Sequence, residues 1–277
     1  MKLAPGLYIV ATPIGNLSDL SPRAAQTLAA ADLIAVEDSR VTAKLLNHLG
    51  VKRPMVPYHD HNSDAVRPRL LAEMADKAVA LVSDAGTPLI SDPGYKLVRE
   101  TRAAGIAVTT LPGPCALIAA LTLAGLPTDR FLFAGFLPAK PGQRRAAIEE
   151  LSSLRATLVF YESGPRLASA LSALREGLGT REAAVAREIS KRFEETVTGT
   201  LAELAERYAD TPPKGEIVIV VGPPGESPPP AEADTDAALR EALSTLSPSR
   251  AAARVAADMG LARKPLYERA ILLSAEP

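Results

Sequence analysis

Short apolar runs alternate along the chain with longer stretches in which apolar residues recur every three or four positions. The runs at 7–11, 33–36, 78–82 and 107–111 are rich in Val, Ile and Leu, and Pro, Gly or Asp lies near their ends, so they are predicted as buried strands. Ser21-Pro22 reads as an N-cap with proline at the first helical position, opening a helix over 23–31. Helices over 42–49 and 95–104 are predicted to stop at Gly50 and Gly105, because glycine adopts the left-handed closing conformation at least cost. Buried strands separated by helices predict a mostly parallel sheet with helices on its faces.

The run at 131–136, followed by Leu137-Pro138-Ala139-Lys140-Pro141-Gly142, reads as a strand leaving one domain. Strands are then predicted at 157–161, 183–187, 196–200 and 217–221, with helices near 166–174 and 201–208. The short gap between 183–187 and 196–200 favours an antiparallel pair, and hence a mixed second sheet. A stiff proline-rich stretch from Gly222 to Pro230 has no core-forming residues. Three helical patterns follow at 235–244, 249–259 and 264–274, with Ser249 as a cap for the second and Gly260 as the break before the third. The predicted division is an N-terminal α/β domain over 1–137, a second α/β domain over 138–222, a linker over 223–233 and a helix-turn-helix-like module over 234–277.

Composition narrows the classes. Hydrophobic residues make up 47% of the 277, enough for a sizeable core. A formal net charge of −1 removes the global signature of a nucleic-acid protein and leaves only local basic faces. Cys115 is the single cysteine, so no intramolecular disulfide exists. The N-terminus lacks the apolar region of a signal peptide, and no run approaches the ~20 residues that cross a bilayer, so a cytoplasmic chain is expected.

Three loops at predicted strand ends carry the chemistry. Thr12-Pro13-Ile14-Gly15-Asn16-Leu17 lies where open α/β sheets bind ligands, yet it is neither GxGxxG nor a P-loop. Ser83-Asp84-Ala85-Gly86-Thr87-Pro88-Leu89-Ile90-Ser91-Asp92-Pro93-Gly94 is long for a strand-to-helix connection, and such loops tend to be functional. In it Gly86 permits close backbone approach, while Asp84 and Thr87 offer polar partners. Leu111-Pro112-Gly113-Pro114-Cys115-Ala116 opens an apolar helix, where Cys115 reads as a small buried residue rather than a nucleophile.

Together TPIGNLSDLSPRA, EDSRVTAKLL, SDAGTPLISDPG and LPGP resemble the hallmarks of the tetrapyrrole methylase-like superfamily, in its small-subunit ribosomal RNA cytidine 2′-O-methyltransferase branch. Phe160-Tyr161-Glu162-Ser163, Ala186-Arg187-Glu188-Ile189-Ser190-Lys191, Gly215-Glu216-Ile217-Val218 and the helical tail extend the resemblance over nearly the whole chain. One departure stands out: Gly164-Pro165 occupies a place where the family usually has proline and histidine, so no role for that histidine carries over.

The resemblance implies two α/β domains with S-adenosylmethionine in the cleft between them, ribosomal RNA as acceptor, and a homodimer. It maps cofactor contacts onto Pro13, Ile14, Gly15, Ala85, Gly86, Thr87, Cys115, Ala116, Tyr161, Glu162 and Ile189. Methyl transfer to a hydroxyl needs alignment and a base. Glu37, Asp38, Asp84, Asp92 and Glu188 are candidates among which the sequence does not choose, with Arg187 and Lys191 placed to hold phosphates. A structural ion pair with Arg40 competes for Glu37 and Asp38. His59-Asp60-His61-Asn62 lacks a third ligand of matching spacing, so no metal is expected. In the tail Arg250, Arg254, Arg263, Lys264 and Arg269 outnumber Asp258 and Glu268, a modest surplus suited to RNA phosphates. Arg144, Arg145, Lys191 and Arg192 are candidates for a further basic track. The alternatives are a methyltransferase on a small macrocyclic, tetrapyrrole-like substrate, and a cofactor-sensing nucleic-acid-binding protein without turnover.

Overall fold

A computed structural model describes residues 2–225 and 232–275, which fall into two compact units, 1–224 and 225–277. The first unit opens with β1 (Gly6–Val10), α1 (Pro22–Ala30), β2 (Leu33–Val36), α2 (Ser39–His48), β3 (Met55–Pro57), α3 (Ser63–Glu73), β4 (Ala78–Val82), α4 (Tyr95–Ala103), β5 (Val108–Leu111) and α5 (Ala116–Leu123). It continues with β6 (Phe131–Phe136), α6 (Pro141–Leu151), β7 (Thr157–Ser163), α7 (Gly164–Leu178), β8 (Glu182–Arg187), β9 (Glu195–Thr200), α8 (Leu201–Arg207) and β10 (Glu216–Val221). Both α/β halves thus share one compact unit.

The first sheet has the order β3-β2-β4-β1-β5, and every pairing is parallel. Its centre shows why β4 reads as an unbroken apolar run. Ala80 and Val82 enter the core on one face with Leu28, Ile34 and Leu46, while Val79 and Leu81 enter the other with Leu70, Met74 and Leu97. A strand covered on both faces has no position left for a polar residue. The second sheet has the order β6-β7-β10-β8-β9; only β6 and β7 are parallel, so it is mixed as expected.

The helix that joins the halves is α5. Its apolar residues Leu117, Ala120 and Leu121 pack not on the first sheet but on Val159, Ala184 and Val218 of the second. Ile14 and Ile90, from loops of the first half, pack against the same core. The opposite face of the second sheet buries Leu158, Phe160 and Ile219 under Leu167, Leu171 and Leu174 of α7. Burying each such side chain stabilises the fold by roughly 1.5–3 kcal/mol.

The predicted strands all form, within a residue or two at their ends. Ser21 caps α1 by accepting from the Ala24 N–H at 3.1 Å, and Gly50 and Gly105 take positive φ after α2 and α4. Three elements have no counterpart in the sequence reading: β3, α3 and α6. β3 is three residues long and α3 carries Pro68 inside it, so neither shows a clean period.

The second unit, described by itself, contains α9 (Glu232–Leu243), α10 (Pro248–Met259) and α11 (Arg263–Ala275) around Leu239, Ala252, Val255, Leu266 and Leu273. The residue at the N-cap of α10 is Ser247, not Ser249. Pro248 sets the helix start one residue earlier than expected, since proline fits the first helical position. Gly260 ends α10 in the left-handed conformation. Much of the linker predicted over 223–233 lies outside the described residues.

Candidate functional site

The loops after β1 and β4 are stitched together at the carboxyl end of the first sheet. The Thr12 N–H donates to the Gly86 carbonyl at 2.8 Å, and the Gly86 N–H donates back at 3.0 Å. The Thr87 hydroxyl then donates to the Pro114 carbonyl at 2.9 Å, which ties in the loop after β5. Gly86 sits at φ +80, and a Cβ there would press on Ile14. Three loops far apart in sequence therefore form one surface, as ligand sites of parallel sheets do.

That surface is one wall of a cavity of about 400 Å³. Ile14, Ala85, Gly86, Thr87 and Ala116 line it from the first half. Tyr161, Glu162 and Ile189 line it from the second, so eight of the eleven expected cofactor residues meet at one place. The other three lie just behind the wall. Pro13 precedes Ile14, Cys115 occupies the N-cap of α5, and Gly15 lies against the Lys191 side chain. Such a volume is that of a small-molecule site.

Carboxylates give the cavity its electrostatic character. Glu37, Asp84 and Asp92 all line it. Burial pushes Glu37 and Asp84 above the usual carboxylate range, and pushes Asp92 up to about 6 despite a hydrogen bond from Ser83. The Asp84 N–H donates to Glu37 at 3.4 Å, and Asp84 accepts from the Asp38 N–H at 3.0 Å, so each carboxylate is held by the backbone of the other's segment. Asp38 itself is turned to Arg40, whose guanidinium holds its carboxyl down at about 2; it does not line the cavity. The competing ion pair foreseen for Glu37 and Asp38 therefore involves Asp38 alone.

Glu188 and Lys191 occupy a different position from Glu37 and Asp84. The Lys191 ammonium lies 3.0 Å from Glu188 and 2.9 Å from Glu216. Hydrogen bonding to Lys191 holds Glu188 below its usual range. Burial alone would lower Lys191, but its two carboxylate partners together raise it. Neither side chain lines the cavity, although Gly215 and Glu216 beside them do. Arg187 is engaged by Glu195 at 2.8 Å. Arg144 and Arg145 line a separate groove between α6 and α7, which they share with Glu149 and Glu176.

Phe136 lines the cavity outside every motif singled out in the sequence, while Ile90, Ser91, Ser163 and the stretch from Gly215 to Val218 lie in those motifs without having been picked out as contacts. The last was visible as a strand and as part of the family resemblance but not as cavity wall, and Phe136 only as a strand-end aromatic whose ring meets Tyr161 edge-on at 5.7 Å. Glu162 accepts from the Ser163 N–H at 2.8 Å and pairs with Arg166, while its Oε2 is buried without a protein partner. His59 and His61 meet edge-on at 6.0 Å, and among the described residues no three potential ligands cluster around a metal position. In the helical unit Arg254 pairs with Asp258 and Arg269 with Asp236, and among the described residues Arg250, Arg263 and Lys264 are in no ion pair. No described helix is long and apolar enough to cross a membrane.

Comparison with known proteins agrees with this architecture. Residues 6–205 match the family described as Tetrapyrrole (Corrin/Porphyrin) Methylases, and residues 229–274 match the RsmI C-terminal HTH domain. The chain is 56% identical over 271 residues to the ribosomal RNA small subunit methyltransferase I of Erythrobacter litoralis, covering 98% of this chain and 96% of that one. It is 51% identical over 275 residues to the enzyme of the same name from Mesorhizobium japonicum, covering 98% and 93%. Among solved structures, uroporphyrin-III C-methyltransferase from Thermus thermophilus complexed with S-adenosylhomocysteine superposes with a TM-score of 0.54 at 21% identity, over 78% of this chain and 97% of that one. The fold is shared at that distance, and the sequence identity over full length narrows the assignment: the chain belongs to the tetrapyrrole methylase family, in the group of the ribosomal RNA small subunit methyltransferases I.

Proposed function

We propose that this chain transfers the methyl group of S-adenosylmethionine to the 2′-hydroxyl of a cytidine ribose in small-subunit ribosomal RNA. The observation that carries the reading is the cavity where three loops of one half meet β7, β10 and Ile189 of the other, lined by small residues and desolvated carboxylates. A sulfonium cofactor with an ammonium group is cationic, and Glu37, Asp84 and Asp92 form a complementary anionic wall. Ala85, Gly86 and Ala116 leave room for a flat group against the backbone, and the unpartnered Oε2 of Glu162 offers an acceptor. The residues present thus fit the group. When bound, the cofactor supplies an electrophilic methyl carbon.

The protein's share is alignment and proton removal. Asp92, the most strongly desolvated of the three carboxylates, is assigned to the cofactor's positive charge. The Glu37–Asp84 pair is assigned to the acceptor hydroxyl, because burial raises both carboxylates and so makes them stronger bases. Pro13, Gly15 and Cys115 support the wall from behind, and Glu188 and Lys191 brace it. The two α/β domains over 1–137 and 138–222 and the helical module over 234–277 are read as cofactor halves and RNA-binding appendage, within a cytoplasmic homodimer.

Radiolabelled S-adenosylmethionine tests the reading when small ribosomal subunits from a strain lacking this protein are offered beside a tetrapyrrole acceptor. Label in the RNA alone supports it. Label in the macrocycle alone moves the assignment to a small-molecule methyltransferase, and cofactor binding with neither product moves it to a sensor.

A further inference from the structure

Four residues other than glycine have positive φ among the described residues: Leu89 at 76°, Ser91 at 64°, Glu188 at 51° and Ser190 at 65°. They fall in two loops, one after β4 and one between β8 and β9, and both loops contribute to the cavity wall through Ile90, Ser91, Asp92 and Ile189. Backbone held in this region persists only where surrounding structure over-determines it, and such strain collects at ligand sites.

An exposed aromatic ring beside an arginine accompanies each loop, one at the start of α4 and one within the β8–β9 connection. Tyr95, 62% exposed, follows Asp92 by three residues, and the Arg99 guanidinium stands 5.7 Å from its ring centre. Phe193, 64% exposed, follows Ile189 by four residues at the tip of the β8–β9 hairpin, with Arg192 at 5.6 Å. Chain connectivity keeps each ring's Cα within about 15 Å of a cavity-lining residue. A third such pair, Arg207 with Tyr208, has its ring buried. Among the described residues neither Arg99 nor Arg192 is in an ion pair, and Arg99 also donates to the Tyr95 hydroxyl at 3.3 Å. In a chain with 4% aromatics and no tryptophan, Tyr95 and Phe193 are the two most exposed rings among the described residues, and each has a guanidinium beside it.

We propose that Tyr95–Arg99 and Phe193–Arg192 are stacking platforms for unpaired bases of the RNA strand entering the cavity. The inference rests on the RNA reading given above. An aromatic ring with a guanidinium on one face leaves the other face open to a base, and the guanidinium reaches the adjacent phosphate. This is how single-stranded RNA, whose bases are unstacked, is recognised by proteins, and stacking of this kind tolerates any base. The partner is therefore a single strand rather than a duplex, and the platforms hold the strand while the carboxylates act on the ribose.

The test uses the full-length protein with single-stranded oligocytidylate, duplex RNA and methyl-deficient small subunits. Tyr95→Ala and Phe193→Ala are each expected to weaken oligocytidylate binding about 5- to 100-fold. They are expected to raise KM for subunits more than they lower kcat, while S-adenosylhomocysteine affinity stays unchanged and Phe193→Trp retains binding. Both sites are exposed, so folding is preserved. Wild-type-like RNA binding and KM in both alanine variants would overturn the proposal while leaving the methyltransferase reading intact. So would a change confined to self-association, which would make the rings contacts between copies. A wild-type protein that leaves RNA unmethylated would overturn both.

Discussion

The carbonyl oxygen of Pro213 stands where a side chain on Gly164 would be: a Cβ at that position would overlap it. Gly164 begins α7 directly after the cavity-lining Ser163, and Pro213 lies two residues before the cavity-lining Gly215. The departure from the family pattern at Gly164-Pro165 is therefore a packing feature, which lets the segment before β10 close against the end of β7.

Gly164→Ala is expected to destabilise the protein by about 1–3 kcal/mol, since the obstructing atom is backbone and cannot swing away. Cofactor affinity should fall with it, because the displaced segment leads into the wall. Thermal unfolding and calorimetry with S-adenosylhomocysteine check both.

Lys191 separates a bracing role from a catalytic one. Lys191→Met keeps the stem that covers Gly15 and removes the charge shared by Glu188 and Glu216, leaving two carboxylates facing each other. Stability is expected to fall by about 1–2 kcal/mol for this partly exposed cluster, with a raised KM for the cofactor and kcat nearly unchanged. A collapse of kcat at unchanged KM would restore Lys191 to the chemistry.

Asp92 sets a pH dependence. Its carboxyl, at about 6, lies above the ordinary 3.8, so the folded protein binds the proton that the unfolded chain releases. Its contribution therefore makes the unliganded protein more stable as pH falls from 6 toward 4, and weakens binding of a cationic cofactor over the same range, approaching tenfold per unit. Asp92→Asn should remove this dependence and bind weakly at every pH, as titration calorimetry between pH 5 and 8 will show.

Glu37→Gln and Asp84→Asn probe the base. At least one is expected to lower kcat by about 10²–10⁴ with S-adenosylhomocysteine affinity within a fewfold of wild type. Single-turnover methylation of small subunits provides the measurement.

Much of this was legible in the chain. β2 and β4 show as unbroken apolar runs because both faces of their sheet are covered, and Ser21-Pro22 and Gly105 mark helix ends by chemistry that is purely local. The cavity was legible through its loops, because Ala85, Gly86 and Ala116 are small for a reason that shows in sequence. Phe136 and Glu216 were not, since what brings them to the wall is the packing of α5 onto the second sheet, a contact between distant segments. Lys191 looked free for phosphate because one of its two partners, Glu216, lies 25 residues away, and the turn that brings Glu188 back onto it has no regular period. The hidden cap at Ser247 and the helix carrying Pro68 are likewise settled by context rather than by period.

The most direct measurement is nucleoside mass spectrometry of small-subunit RNA from a deletion strain, before and after incubation with the purified protein and S-adenosylmethionine. The expected result is the appearance of a single 2′-O-methylcytidine, in a dinucleotide that resists alkali. Methylation on a base, or RNA unchanged while the protein still binds the cofactor, would contradict the assignment.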